Sequence, residues 1–211
     1  RRQRQMCIRD RDSVFRKFYN MRIAKKSHKV RQDGLAMKAR AVALDLQRAI
    51  DESGLKISEL VESRSFRKLS ALFGSYYKNQ LSADFIGRED YTNIYAFYHP
   101  TLVEIPDDVF YAAMLTLFYT ERVSKAYRMM QVRQQLDHLS PEMEGLKEDI
   151  EFFRKAADHY EFHRIKEAEQ IVNELLKKYP GHPGFMKFKC RFLMEDAGAV
   201  SYTHLRAHET L

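Results

Sequence analysis

The chain has 211 residues, 45% apolar and 31% charged, with 8 glycines, 5 prolines, 2 cysteines and a formal net charge of +7. Scarce helix breakers beside abundant Lys, Glu, Arg, Leu and Ala favour helix over sheet, and the cysteine count excludes a disulfide framework. The length allows a real core, and no apolar run is long enough to span a bilayer, residues 109–119 coming nearest.

Residues 1–11 and 200–211 read as translated sequencing adaptor rather than native protein. Met6-Cys7-Ile8-Arg9-Asp10 can be encoded by ATG TGT ATA AGA GAC, and the reverse complement of that string, with its two following bases AG, encodes Val200-Ser201-Tyr202-Thr203-His204. The outer pieces, Arg1-Arg2-Gln3-Arg4-Gln5 and Leu205-Arg206-Ala207-His208-Glu209-Thr210, resemble the adaptors of transposase-based library preparation read in frame. Setting both ends aside removes five arginines and one aspartate from the first and one arginine and one glutamate from the second, so the charge falls from +7 to +3 for residues 12–199. Cys7, the N-terminal arginine cluster and the His204/His208 pair go with them. The remaining Cys190 fits a reducing, cytoplasmic setting.

Residues 12–54 read as a long helical segment with a weak break at Gly34. Residues 14–31 place Arg16, Lys17, Arg22, Lys25, Lys26, Lys29 and Arg31 among Val14, Phe15, Phe18, Met21 and Ile23 with no acidic residue, a basic amphipathic pattern. Such a stretch faces nucleic acid, an anionic surface or an acidic partner, or is simply a solvated helix face. In the second half, Leu35, Ala39, Val42, Leu46, Ala49 and Ile50 form an apolar stripe that Ser53-Gly54 stops. Residues 55–106 break into shorter helices at 57–62, 65–78 and 91–98. Aromatics concentrate there: Phe66, Phe73, Tyr76, Tyr77, Phe85, Tyr91, Tyr95, Phe97 and Tyr98, interleaved with Arg64, Arg67, Lys68, Lys78 and Arg88. They fit either a packed core or a stacking platform for single-stranded nucleic acid. His99-Pro100 predicts an extended residue and the end of the preceding helix.

Residues 107–199 are more regular. Pro106-Asp107-Asp108 and Ser140-Pro141-Glu142 are helix starts, and 179–184, Tyr-Pro-Gly-His-Pro-Gly, is a break. Helices are expected at 107–119, 122–138, 142–161, 164–178 and 184–196, joined by short turns into antiparallel pairs.

Within this part, 152–180 resembles a tetratricopeptide repeat, a helix-turn-helix unit of about 34 residues. Ala156 and Ala168 fall on the small positions of its two helices, and Phe152, Val172, Leu175 and Pro180 on other pattern positions. His159 replaces the usual aromatic, with Tyr160 one place late, and Arg164-Ile165 replaces the usual glycine. A preceding unit drawn through Phe110, Leu117, Ala126 and Met130 has Met114 at its small position. The resemblance implies an all-α fold of antiparallel helix pairs, a helical-repeat array toward the C-terminus that offers a groove to a partner.

Little chemistry stands out. His159 and His163 lie four apart on a predicted helix, but without the HExxH order or a third ligand they read as packing or surface residues. Asp107 and Asp108 are adjacent and suit a helix start better than acid/base work. Cys190 shares a predicted face with Phe185, Phe188 and Leu193, which makes it a core thiol. No Walker loop, GxGxxG, CxxC or nucleophile elbow is present. The sequence therefore points to a non-enzymatic scaffold without metal or cofactor that binds a protein or peptide, with Arg154, Lys155 and Asp158 as contact candidates. The alternatives are a helical accessory or linker segment of a larger multidomain enzyme or regulator, and nucleic-acid binding through residues 14–31.

Overall fold

The computed structural model describes residue 29 and residues 31–79 and 91–195. The expectations for 1–11, 200–211 and nearly all of the basic stretch 14–31 lie outside these residues. Among those described, the fold is all-helical, with no strand.

Helix α1 spans 31–53 and runs through Gly34 without a break. Its stripe does what the pattern requires: Ala39 and Leu46 are buried, with Leu35, Val42 and Ile50 packed against the core. The stop falls where Ser53-Gly54 places it. Gly54 takes φ +60, and the Ser53 hydroxyl donates to the Ile50 carbonyl at 2.7 Å and accepts from the Leu55 N–H at 3.2 Å.

Helices α2 (Ile57–Glu62), α3 (Phe66–Leu72) and α4 (Gly74–Lys78) follow. The sequence predicts one helix over 65–78. The chain instead breaks at Phe73, whose ring is buried and whose backbone closes α3 and opens α4. Helix α5 (Tyr91–Tyr98) ends at the expected residue, but its exit differs from the extended step predicted at His99-Pro100. A π-helical turn, His99–Val103, carries on. Proline offers no N–H and crowds the carbonyl of the preceding turn, and a widened turn closed by Glu104 N–H to His99 O (3.2 Å) relieves both.

Helix α6 (Asp107–Tyr119) is the centre of the molecule. Val109, Phe110 and every residue from Ala112 to Phe118 are buried, so the helix is enclosed on all sides. Helices α2 and α3 cover it on one side, and α7 (Val123–Leu136) and α8 (Pro141–Glu161) on others. Tyr77 donates its hydroxyl to Ala113 O (2.6 Å), and Tyr76 to Thr101 O (2.7 Å) in the π-turn. Phe73, Tyr76, Tyr77, Phe97 and Tyr98 are all core, and Phe66 stacks on Tyr119 at 3.9 Å. The described rings of the aromatic cluster therefore serve packing, apart from Tyr95, which is 47% exposed.

Ser140 caps α8 by accepting from Met143 N–H, with Pro141 in the first turn and Glu142 and Glu144 against the positive end of the dipole. Helix α9 (Ile165–Lys178) folds back on α8, where Ala156 and Ala168 are fully buried and let the two backbones approach. A last helix, α10, covers 183–195.

Three of the reversals use one device. At the ends of α2, α6 and α8 the residues Arg64, Glu121 and His163 adopt φ of +52, +62 and +57. In each case the next residue's N–H reaches back five places and the left-handed residue's own N–H three: Ser65 to Leu60 (2.8 Å) and Arg64 to Val61 (3.0 Å), Arg122 to Leu117 (2.9 Å) and Glu121 to Phe118 (3.3 Å), Arg164 to His159 (2.8 Å) and His163 to Tyr160 (3.0 Å). These are Schellman turns built without glycine.

Candidate partner-binding groove

Helix α8 is flanked by α7 and α10. Tyr127 and Gln134 of α7 bond Glu151 (2.9 Å) and Lys147 (3.1 Å) of α8, so those two run antiparallel. Phe153 meets Phe185 and Phe188 (4.8 and 5.4 Å), and Tyr160 meets Phe188 and Phe192 (5.6 and 5.9 Å), so α10 runs parallel to α8. At the C-terminal end of α8 it is Tyr160 that meets the α10 rings.

The start of α10 is fixed by His182, which is fully buried. Its Nε2 lies 3.0 Å from the Phe118 carbonyl at the end of α6, and Nδ1 lies 3.4 Å from the Phe185 N–H it caps. The first contact needs the proton on Nε2 and the second a bare Nδ1, which together define the neutral ring. Burial pushes its pKa down to about 4, against the opposing pull of the Phe118 carbonyl and Glu121.

Two concavities lie along α8, one shared with α7 and the other with α10 and the start of α7. One, of about 380 Å³, is lined by Ser124, Tyr127, Arg128, Gln131 and Arg154. The other, of about 250 Å³, is lined in part by Val123, Phe153, Phe188 and Arg191. Their linings include residues adjacent in sequence, Val123 and Ser124 on α7 and Phe153 and Arg154 on α8. The first is polar and cationic, the second has an aromatic floor.

The charges are unevenly neutralised. Lys147 pairs with Glu151 (3.5 Å), Lys187 with Glu121 (2.6 Å) and Lys178 with Asp149. Arg128 and Arg154, both exposed, have no acidic partner among the described residues. The Arg154 guanidinium lies 5.0 Å from the Tyr127 ring centre. The Tyr127 hydroxyl donates to Glu151, and that bond, foremost, raises its pKa.

Of the contact candidates from sequence, Arg154 lines the groove, whereas Lys155 and Asp158 are exposed and line neither concavity. Lys29 is exposed at the start of the described chain; Arg16, Lys17, Arg22, Lys25 and Lys26 lie outside the described residues. Sequence reasoning does not single out Arg128 or Tyr127. The available signal is the absence of any acidic residue from 122 to 136, a stretch holding Arg122, Lys125, Arg128 and Arg133. Two of these four turn inward: Lys125 donates to Tyr77 O, and Arg133 is 2% exposed.

Two further expectations are corrected. Cys190 is exposed, because the buried face of α10 runs through Phe185, Phe188 and Phe192, leaving Leu193 at 59% exposure beside it. His159 and His163 do not share a helix face, since α8 ends at Glu161 and His163 sits in the left-handed turn. Among the described residues, no three His, Cys, Asp or Glu side chains converge as metal ligands do, and no helix is long and apolar enough to cross a membrane. No protein-family model, curated protein or solved structure matches the chain.

Proposed function

We propose that this chain is a non-catalytic helical scaffold that binds a protein or peptide across the two concavities along α8. The observation that carries the reading is the pair of concavities along α8, one cationic and one aromatic-floored. An extended segment gains charge-assisted hydrogen bonds at one end and apolar burial at the other. A tetratricopeptide-like arrangement of the C-terminal part is supported by the close approach at Ala156 and Ala168, by the recurring turn between paired helices, and by the parallel course of α8 and α10.

The test is selection of displayed random peptides on the whole chain, followed by affinity measurement on a Ser124→Trp variant. Ser124 is exposed on α7, so the indole fills the groove without entering the core. Peptides that lose at least tenfold in affinity support the reading; no selectable peptide, or peptides indifferent to the substitution, would sink it.

A second reading, an accessory segment packed within a larger multidomain enzyme or regulator, is favoured by one observation. The outward side of α10 exposes Met186 (46%), Leu193 (59%) and Met194 (74%), a face suited to further packing.

A further inference from the structure

We propose that the Arg128–Arg154 end of the groove receives the phosphate of a phosphorylated serine or threonine in the partner peptide, an assignment that rests on the peptide-binding reading above. The lining supplies donors of the kind a phosphate needs: two guanidinium groups, the Ser124 hydroxyl and the Gln131 amide. A phosphoserine carries close to two negative charges at neutral pH with three acceptor oxygens, and arginine forks bind such oxygens in pairs. No carboxylate among the described residues lines this concavity, and Glu151, which Tyr127 bonds at 2.9 Å, is also paired with Lys147 at 3.5 Å. That engagement also fixes the Tyr127 ring on which Arg154 rests, at 5.0 Å, which orients one of the two cations before a ligand arrives. Arg128 and Arg154 line this concavity together and neither has an acidic partner among the described residues, whereas Lys187 of the other concavity is paired with Glu121 at 2.6 Å.

A single carboxylate side chain brings one charge to a site that offers two, and leaves the match incomplete. A lipid headgroup at a bilayer surface would have to be met by a protruding face, and these arginines lie in a concavity between helices. A peptide satisfies both halves, with the phosphate against the arginines and an apolar residue over the phenylalanines.

The experiment uses two fluorescein-labelled degenerate peptide libraries, identical except for a central phosphoserine or serine, titrated with the whole chain and read by anisotropy. Binding of the phosphoserine library at least tenfold tighter, with the difference abolished in Arg128→Gln/Arg154→Gln at unchanged helical circular dichroism, supports the proposal. Both positions are exposed, so the variant keeps the core intact. Equal binding of the two libraries overturns the phosphate receptor and leaves the peptide reading standing. Failure of both libraries overturns both. Tighter binding of oligouridylate or of phosphoinositide-containing vesicles than of the phosphoserine library also overturns the peptide as occupant.

Discussion

Lowering the pH below neutrality should release α10 through one side chain. His182 sits fully buried among Phe118, Tyr119 and Phe185, stacked on the last at 4.0 Å. Protonation places an N–H on Nδ1 opposite the Phe185 N–H, turning a cap into a clash of donors, and leaves a charge without an acid in contact. The folded-state pKa of about 4 lies below the ordinary histidine value of 6.5. Between those values the unfolded chain binds a proton that the folded chain refuses. Stability from the neutral ring is therefore complete above about pH 6.5, falls as the pH drops toward 4, and levels off below it. Excluding the proton across that interval costs about 1.4 kcal/mol for every tenfold rise in acidity, so the loss amounts to about 3 kcal/mol, a large share of a domain's usual stability. The measurement is urea unfolding at pH 7.5 and pH 4, for the wild-type chain and for His182→Asn. Asparagine caps a helix without titrating, so other groups titrate equally in both proteins. Wild type should lose about 3 kcal/mol more than the variant across that interval. Equal losses in the two proteins would refute the latch.

Other substitutions probe the fold. His163→Gly relieves a left-handed residue whose side chain is exposed, and should raise stability by about 1 kcal/mol in thermal unfolding. Arg133 holds Leu102 O at 2.6 Å, contacts Asp107 and lies over Phe110 at 4.6 Å. Arg133→Ala strips the π-turn of its anchor and should cost about 3 kcal/mol in chemical denaturation. Ala156→Leu forces bulk between α8 and α9 where no exposure remains and should cost about 1–3 kcal/mol, whereas Lys155→Leu, one position away on the exposed face, should be near neutral.

The helices readable from sequence are those whose ends carry their own chemistry. Ser53-Gly54, Pro106 with two aspartates, and Ser140-Pro141 each satisfy or remove backbone groups locally, so the boundary follows from a few adjacent residues. The departures share a different cause. The break at Phe73 serves a buried ring, the π-turn is anchored by Arg133 from another helix, and Cys190 faces outward because α8 packs on the Phe188–Phe192 side of α10. None of these partners is near in sequence. The groove is half legible for the same reason: Arg154 is visible as a charge on a helix face, but which turn of α7 lies opposite it depends on packing. Periodicity counts four cations in 122–136 and has no means of showing that Lys125 and Arg133 turn inward while Arg128 turns toward Arg154.

The recurring turn at Arg64, Glu121 and His163 shows why a helix reversal can be hard to see in the letters. Its reversal is written in amide-to-carbonyl bonds, which any residue except proline can donate, and the one position that would favour glycine tolerates arginine, glutamate and histidine here. Direction is thus set by the backbone, while helix length is left to whatever each pair must cover. A helix of such a hairpin can lengthen, or its turn residue change, while the reversal itself keeps the same two backbone bonds.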